Sequence, residues 1–254
     1  MPNIIACNLN SYRKYRGRAY EHLARIGLTN VEIPCPEFSE VAAVQEQLDL
    51  YGLTATSLIV SCQMDADDVV ARFSRALETV ASMGVGRVFT SVNSGEIDKD
   101  FIYGRLQNMG DVAAEREIVV ALETHPDLVT NSDVGLETMQ CVNHPQIRIN
   151  FDPANLYYFN RGLSATIELE KLIEYVAAVH LKDTYGGYKS WKFPALGEGV
   201  VDFPTLFQMF LLKGFCGPYT LELEGIQGEE IGCEEVEKRV ERSLQYVQIQ
   251  GLVG

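Results

Sequence analysis

The stretch Ile118-Val119-Val120-Ala121-Leu122-Glu123 is a short apolar, β-rich run that ends on a carboxylate, and the chain repeats this construction. Ile147-Arg148-Ile149-Asn150-Phe151 ends on Asp152, the run Val176 to Leu181 contains His180, and the run Tyr219 to Glu224 carries Glu222 and Glu224. Towards the N-terminus, comparable runs occupy Ile4 to Asn8, Asn30 to Ile33, Thr54 to Val60 and Arg87 to Ser91, which makes eight. Helix-length segments separate them: Tyr15 to Ile26, Glu40 to Tyr51, Ala66 to Met83, Phe101 to Arg116, Asp133 to Val142, Ile167 to Tyr175, Pro204 to Leu212 and, after the last strand, Cys233 to Gln250. Their apolar residues recur at three and four, as in Val69, Phe73, Ala76, Leu77, Val80 and Met83. Gly27, Gly52, Gly84 and Gly214 follow helix candidates, where a left-handed cap is usually needed.

Alternation of this kind implies parallel strands joined by right-handed crossovers, in a closed barrel or an open doubly wound sheet. Eight strands favour the barrel. No GxGxxG follows the first run, where Cys7-Asn8-Leu9-Asn10-Ser11-Tyr12 stands, so a dinucleotide fold loses its fingerprint. A chain of 254 residues has the usual length of one (β/α)₈ barrel and can bury roughly three quarters of its unfolded surface. No linker or composition shift interrupts it, so we expect one domain over residues 1–254.

The formal net charge of −14, from 35 acidic and 21 basic residues, would repel nucleic acid and anionic lipid. The N-terminus has no basic region before its apolar stretch, and no run approaches a membrane span, so a cytoplasmic protein is expected. Six scattered cysteines with no CxxC pair read as reduced, mostly structural thiols. Exposed barrel helices leave a homo-oligomer open.

Strands of a parallel barrel are covered on both faces, so polar residues at their ends carry information. Glu123, Asp152, His180 and Glu222 end four consecutive strands, at the C-terminal mouth where barrel enzymes place their chemistry. Clustered carboxylates are costly to desolvate and repel one another, and a divalent cation resolves that cost. Oxygen ligands with one imidazole suit Mn²⁺ or Mg²⁺, with Co²⁺ or Zn²⁺ as alternatives. Singly, each residue has a plainer reading: Glu123 a salt-bridged strand end, Asp152-Pro153 a turn, His180 a core histidine, and Glu222 a partner of Lys182 or Arg148. Four together on successive strands favour the metal site. Glu32, ending the second strand, reads as a barrel-end ion pair.

The segments Ala121-Leu122-Glu123-Thr124-His125, Asn150-Phe151-Asp152-Pro153-Ala154-Asn155, Val179-His180-Leu181-Lys182-Asp183, Leu196-Gly197-Glu198-Gly199-Val200-Val201-Asp202-Phe203 and Gly217-Pro218-Tyr219-Thr220-Leu221-Glu222 resemble the xylose isomerase-like TIM barrel superfamily, in its sugar phosphate isomerase/epimerase branch. The match covers the C-terminal half well; the first hundred or so residues agree only in layout. The resemblance implies a Glu-Asp-His-Glu site for one Mn²⁺, Mg²⁺ or Co²⁺ and chemistry beside a sugar carbonyl, as in ketose 3-epimerases, hydroxypyruvate isomerases and inosose dehydratases. It favours Glu222 over Glu224, because Glu222 stands five residues after Gly217. Ketose 3-epimerases usually carry Glu, His and Arg where this chain has Val129, Asn155 and Gly186, so its substrate contacts differ. Endonuclease IV needs more zinc-binding histidines than His22, His125, His144 and His180 supply.

The expected partner is a keto-sugar or related polyol, and the expected activity an isomerase or epimerase. By that resemblance Glu123 and Glu222 are expected to serve as ligands and proton carriers through an enediolate that the ion would stabilise. Loss of a β-hydroxyl from the same intermediate would make a lyase of the inosose dehydratase type, and a non-catalytic sugar-binding barrel is the remaining alternative. Around the centre, His125, Asn155, Lys182 and Trp191 are candidate substrate contacts. Their plainer readings are a loop histidine, a helix-start cap, an ion pair and a loop anchor. Gly197-Glu198-Gly199 is expected to shape a turn.

Overall fold

The computed structural model describes residues 2–252. Eight apolar runs form parallel strands: β1 (Ile5–Asn8), β2 (Asn30–Pro34), β3 (Thr54–Ile59), β4 (Arg87–Thr90), β5 (Val119–Glu123), β6 (Ile147–Phe151), β7 (Val176–Leu181) and, after a two-residue strand β8 (Lys192–Phe193), β9 (Tyr219–Leu221). They hydrogen-bond in that order and close, β9 against β1, into a barrel. β8 stands outside the ring and pairs antiparallel with β10 (Gly225–Ile226) above the mouth. The architecture is therefore the (β/α)₈ TIM barrel that the alternation predicts.

The helices form where an apolar stripe and a cap coincide. In α3 (Val69–Ser82) the buried residues Val69, Phe73, Leu77 and Val80 recur at helical spacing and pack on the barrel. α4 (Lys99–Ala114) starts at Asp98, whose side chain accepts from the Asp100 amide, and α5 (Ser132–Val142) starts at Asn131, which accepts from Val134. Helices α1 (Arg16–Arg25), α2 (Val41–Leu50) and α3 run into Gly27, Gly52 and Gly84, each at positive φ; α8 (Phe203–Lys213) ends on Gly214. α9 (Cys233–Ile249) closes the ring. Among the described residues no helix is long and apolar enough to cross a membrane.

The helix α6 (Pro153–Phe159), directly after β6, escapes the sequence periodicity, whereas α7 (Ala165–Leu172) falls on the expected segment Ile167 to Tyr175. Seven residues are too few to display two turns of an apolar stripe, so α6 reads as a loop in sequence. The last barrel strand also ends earlier than its run suggests. Regular pairing stops at Leu221, although the Glu222 amide still donates to Leu181 O at 3.0 Å.

Candidate metal centre

Each mouth residue is delivered by a different strand. Glu123 ends β5, Asp152 follows β6, His180 lies in β7 and Glu222 follows β9. All four are buried, and one ligand atom from each lies within 4.8 Å of the other three. Asp152 shows how the local fold sets this up. Its Oδ1 caps α6, accepting from the Ala154 and Asn155 amides at 2.9 Å each. Oδ2 is left without a hydrogen bond. His180 Nδ1 is likewise buried with no aligned partner, 3.2 Å from Glu222 Oε2 and 3.5 Å from Glu123 Oε1.

Two buried atoms without a hydrogen bond, Asp152 Oδ2 with only Lys182 Nζ at 3.5 Å and His180 Nδ1 with only unaligned carboxylates, are costly in a folded protein. A cation between them would satisfy both, and the donor set of three carboxylates and one imidazole is that of a divalent metal site. The electrostatics agree. Burial pushes the Asp152 carboxyl up to about 7, Lys182 opposes it, and Glu222 and Glu123 add to the rise. Burial pulls the His180 imidazole down, but Glu222 and Glu32 outweigh it and leave its pKa well above the ordinary value. Glu222 goes the other way: burial raises it, and His180 and Lys182 more than reverse that.

Lys182 lies inside the cluster. Its Nζ is 3.2 Å from Glu222, 3.5 Å from Asp152 and 2.5 Å from Glu224, and it donates to Asn155 Oδ1 at 3.1 Å. Asn155 in turn donates to Glu123 Oε1 at 3.3 Å. These two residues thus link carboxylates to one another, and the cap of α6 is Asp152, not Asn155. Glu224 pairs with Lys182, outside the group of four. Trp191 lines a cavity of about 250 Å³ together with Asn10, Ser11, Arg13, Glu222, Leu223 and Glu224. His125 is half-buried and packs edge-on against Phe159, ring centres 4.8 Å apart.

The mouth holds more than the sequence reading assigned to it. Glu32, read as a barrel-end ion pair, accepts from His180 Nε2 at 3.0 Å and from Asn8 Nδ2 at 3.0 Å, and Ser57 Oγ donates to its other oxygen. Asn8 also reaches Glu222 at 3.3 Å, and Ser91 donates to Glu123. A carboxylate inside an apolar strand, between Val31 and Ile33, was the available signal for Glu32. Asp183 accepts the amides of Thr184, Gly197, Gly199 and Val201 at 2.8 to 3.2 Å. A Cβ at Gly199 would fall 2.1 Å from Asp183 Oδ1, so this glycine serves close approach to a carboxylate rather than a turn alone.

A family model described as "Xylose isomerase-like TIM barrel" matches residues 20–248. L-ribulose-5-phosphate 3-epimerase UlaE of Shigella boydii is 30% identical over 135 residues, 53% of this chain and 46% of that one, so the match spans about half the length of each. The solved structure of D-allulose 3-epimerase from Methylomonas sp. superposes with a TM-score of 0.78 at 17% identity, covering 98% of this chain and 97% of that one. The IOLI protein, solved with a bound zinc atom, gives a TM-score of 0.78 at 17% identity over 98% and 99%. At such identities the two structures establish the fold alone.

Proposed function

The chain belongs to the xylose isomerase-like TIM barrel family, and from that premise we propose that it is a divalent-metal-dependent isomerase or epimerase of a keto-sugar. The observation that carries this is the buried Glu123, Asp152, His180 and Glu222 cluster with two donor atoms left unsatisfied. Its oxygen-rich set suits Mn²⁺ or Mg²⁺, with Zn²⁺ the alternative that IOLI illustrates. When bound, such an ion would polarise the carbonyl and adjacent hydroxyl oxygens of a sugar and acidify the neighbouring C–H.

The chain's own residues handle the proton. Glu123 and Glu222 stand three strands apart around the ring, on either side of His180. One takes a proton from one face of the substrate, and the other returns one from the opposite face or to the adjacent carbon. Ser91 and Asn155 hold Glu123; Asn8 and Lys182 hold Glu222. Trp191 offers a ring for the sugar to lie against, and His125 a hydrogen bond from the β5 side. Lys182 and Asn155 act through the carboxylates they bridge.

The relatives' names differ in whether the sugar carries a phosphate. A second cavity of about 790 Å³ shares Asn10 with the first and is lined by Arg16, Arg72 and Arg75, with Glu37 and Glu78 also on its wall. Arg72 is held by Asp68, whereas Arg16 and Arg75 make no ion pair among the described residues. In a chain of net charge −14 this supports a phosphorylated ketose over a free one.

Incubation of Mn²⁺-loaded protein in D₂O with ketoses, ketose phosphates and inososes tests the reading. Deuterium beside the carbonyl with an epimeric or isomeric product supports it. Loss of water would replace it with a lyase, and sugar binding without exchange with a binding protein. Glu123→Ala, Asp152→Ala and His180→Ala should each lose metal, and full occupancy in all three would sink the proposed centre.

A further inference from the structure

Glu32 resembles the ligands in every respect but one. It lies inside barrel strand β2, between Val31 and Ile33, it is 2% exposed, and it faces the same imidazole, but from the far side. A carboxylate can only accept in that contact, so His180 Nε2 carries a proton and Nδ1 is the atom left for the cluster. Neither Glu32 oxygen is free to do otherwise. Oε1 is shared between His180 and Asn8, and Oε2 is held by Ser57.

The backbone is arranged around this contact. Among the described residues the barrel pairings shift register at two places. One lies between Val31 and Glu32, where the pairing passes over Thr56 and sets Glu32 opposite Ser57. The other lies between Ile149 and Asn150, where it passes over Ala177 and pairs Asn150 with Ala178, two residues before His180. Shifts of this kind re-aim side chains. Here the extra residue of the first lies in β3, the strand of Ser57, which holds Glu32, and that of the second lies in β7, the strand of His180, although β2 and β7 are not neighbours in the ring.

We propose that Glu32 is a positioning residue of the metal centre, fixing the His180 tautomer so that Nδ1 faces Glu123, Asp152 and Glu222 and raising its donor strength by a buried negative charge. The inference rests on the metal-site reading and adds an outer residue to it. Glu32 is not a ligand and touches no reacting atom.

The test uses the full chain with Mn²⁺ alone for affinity and Zn²⁺ alone for NMR. Glu32→Gln keeps volume and an acceptor but removes the charge, and should weaken Mn²⁺ binding by about 10- to 100-fold. Ser57→Ala leaves the carboxylate in place with one oxygen released, and should weaken binding in the same direction by less than about tenfold. In the Zn²⁺-loaded wild type, the His180 ring should show a slowly exchanging Nε2–H and no Nδ1–H. Wild-type affinity in both variants, or a proton found on Nδ1 in the loaded protein, would overturn the assignment of Glu32 while leaving the metal centre standing. Failure of the wild type to bind either ion would overturn both together.

Discussion

Replacing Lys182 by methionine should destabilise the metal-free protein strongly and the metal-loaded protein somewhat less. The ammonium is 2% exposed, lies within 3.5 Å of Asp152, Glu222 and Glu224, and packs its charge over the Phe193 ring at 4.6 Å. Burial alone would lower its pKa; Glu222, Asp152, Glu224 and Glu123 raise it well above the ordinary value, so it stays charged. Methionine preserves the unbranched apolar stem and removes the charge. Leaving buried carboxylates without their partner costs about 3–5 kcal/mol. For a chain of this length 1 kcal/mol corresponds to about 2–4 °C, so the melting temperature in EDTA should fall by about 6–20 °C. Loss of one positive charge beside the cluster should also tighten metal binding. A tenfold lower Kd at fixed free ion adds about 1.4 kcal/mol, or about 3–6 °C, to the stabilisation that metal confers. Differential scanning calorimetry of both proteins, with EDTA and with saturating Mn²⁺, reads both quantities. An unchanged metal-free melting temperature, or a metal-induced shift no larger than in the wild type, would refute the view of Lys182 as an internal counter-ion.

Metal uptake should release protons, because His180, raised well above its usual value, and Asp152, at about 7, must both give theirs up. Affinity should therefore climb with pH through the neutral range, and calorimetry in buffers of different ionisation enthalpy at pH 7 should count between about one and two protons per ion; a count of zero would contradict the charge states described. Asp183→Asn withdraws an acceptor from amides 2.8 to 3.2 Å away and should cost about 2–6 kcal/mol in urea unfolding, with a loss under about 1 kcal/mol counting against the cradle. Trp191→Ala opens the cavity beside Glu222 and should raise KM about 5- to 30-fold with little change in kcat. Equal KM would remove Trp191 from the substrate's path.

The barrel was legible because burial on both faces forces apolar runs, and a polar terminus on such a run stands out. Glu123, Asp152, His180 and Glu222 announced themselves in that way. Glu32 was read as an ion pair, and it pairs with His180, but that partner could not be named from sequence because the contact exists only after closure brings β2 within reach of β7. The parity of Lys182 with His180 was visible in sequence, whereas its contact with three carboxylates depends on side chains from β6 and β9. α6 was hidden by its length and by Pro153, which suits the first turn of a helix as well as a loop. The partner of Gly199 stands sixteen residues upstream, at Asp183, beyond the span of any local turn rule.

That cradle divides the rim of the barrel into two kinds of territory. Asp183 follows His180 by three positions and grips residues 197–201, so the segment above β7 is bolted to the strand that supplies the imidazole. Insertions or exchanges there would travel directly into the centre. The neighbouring segment carrying Tyr185, Tyr188 and Trp191 is exposed at its aromatic rings. Substitutions are therefore expected to be tolerated more readily in residues 185–191 than in residues 197–201.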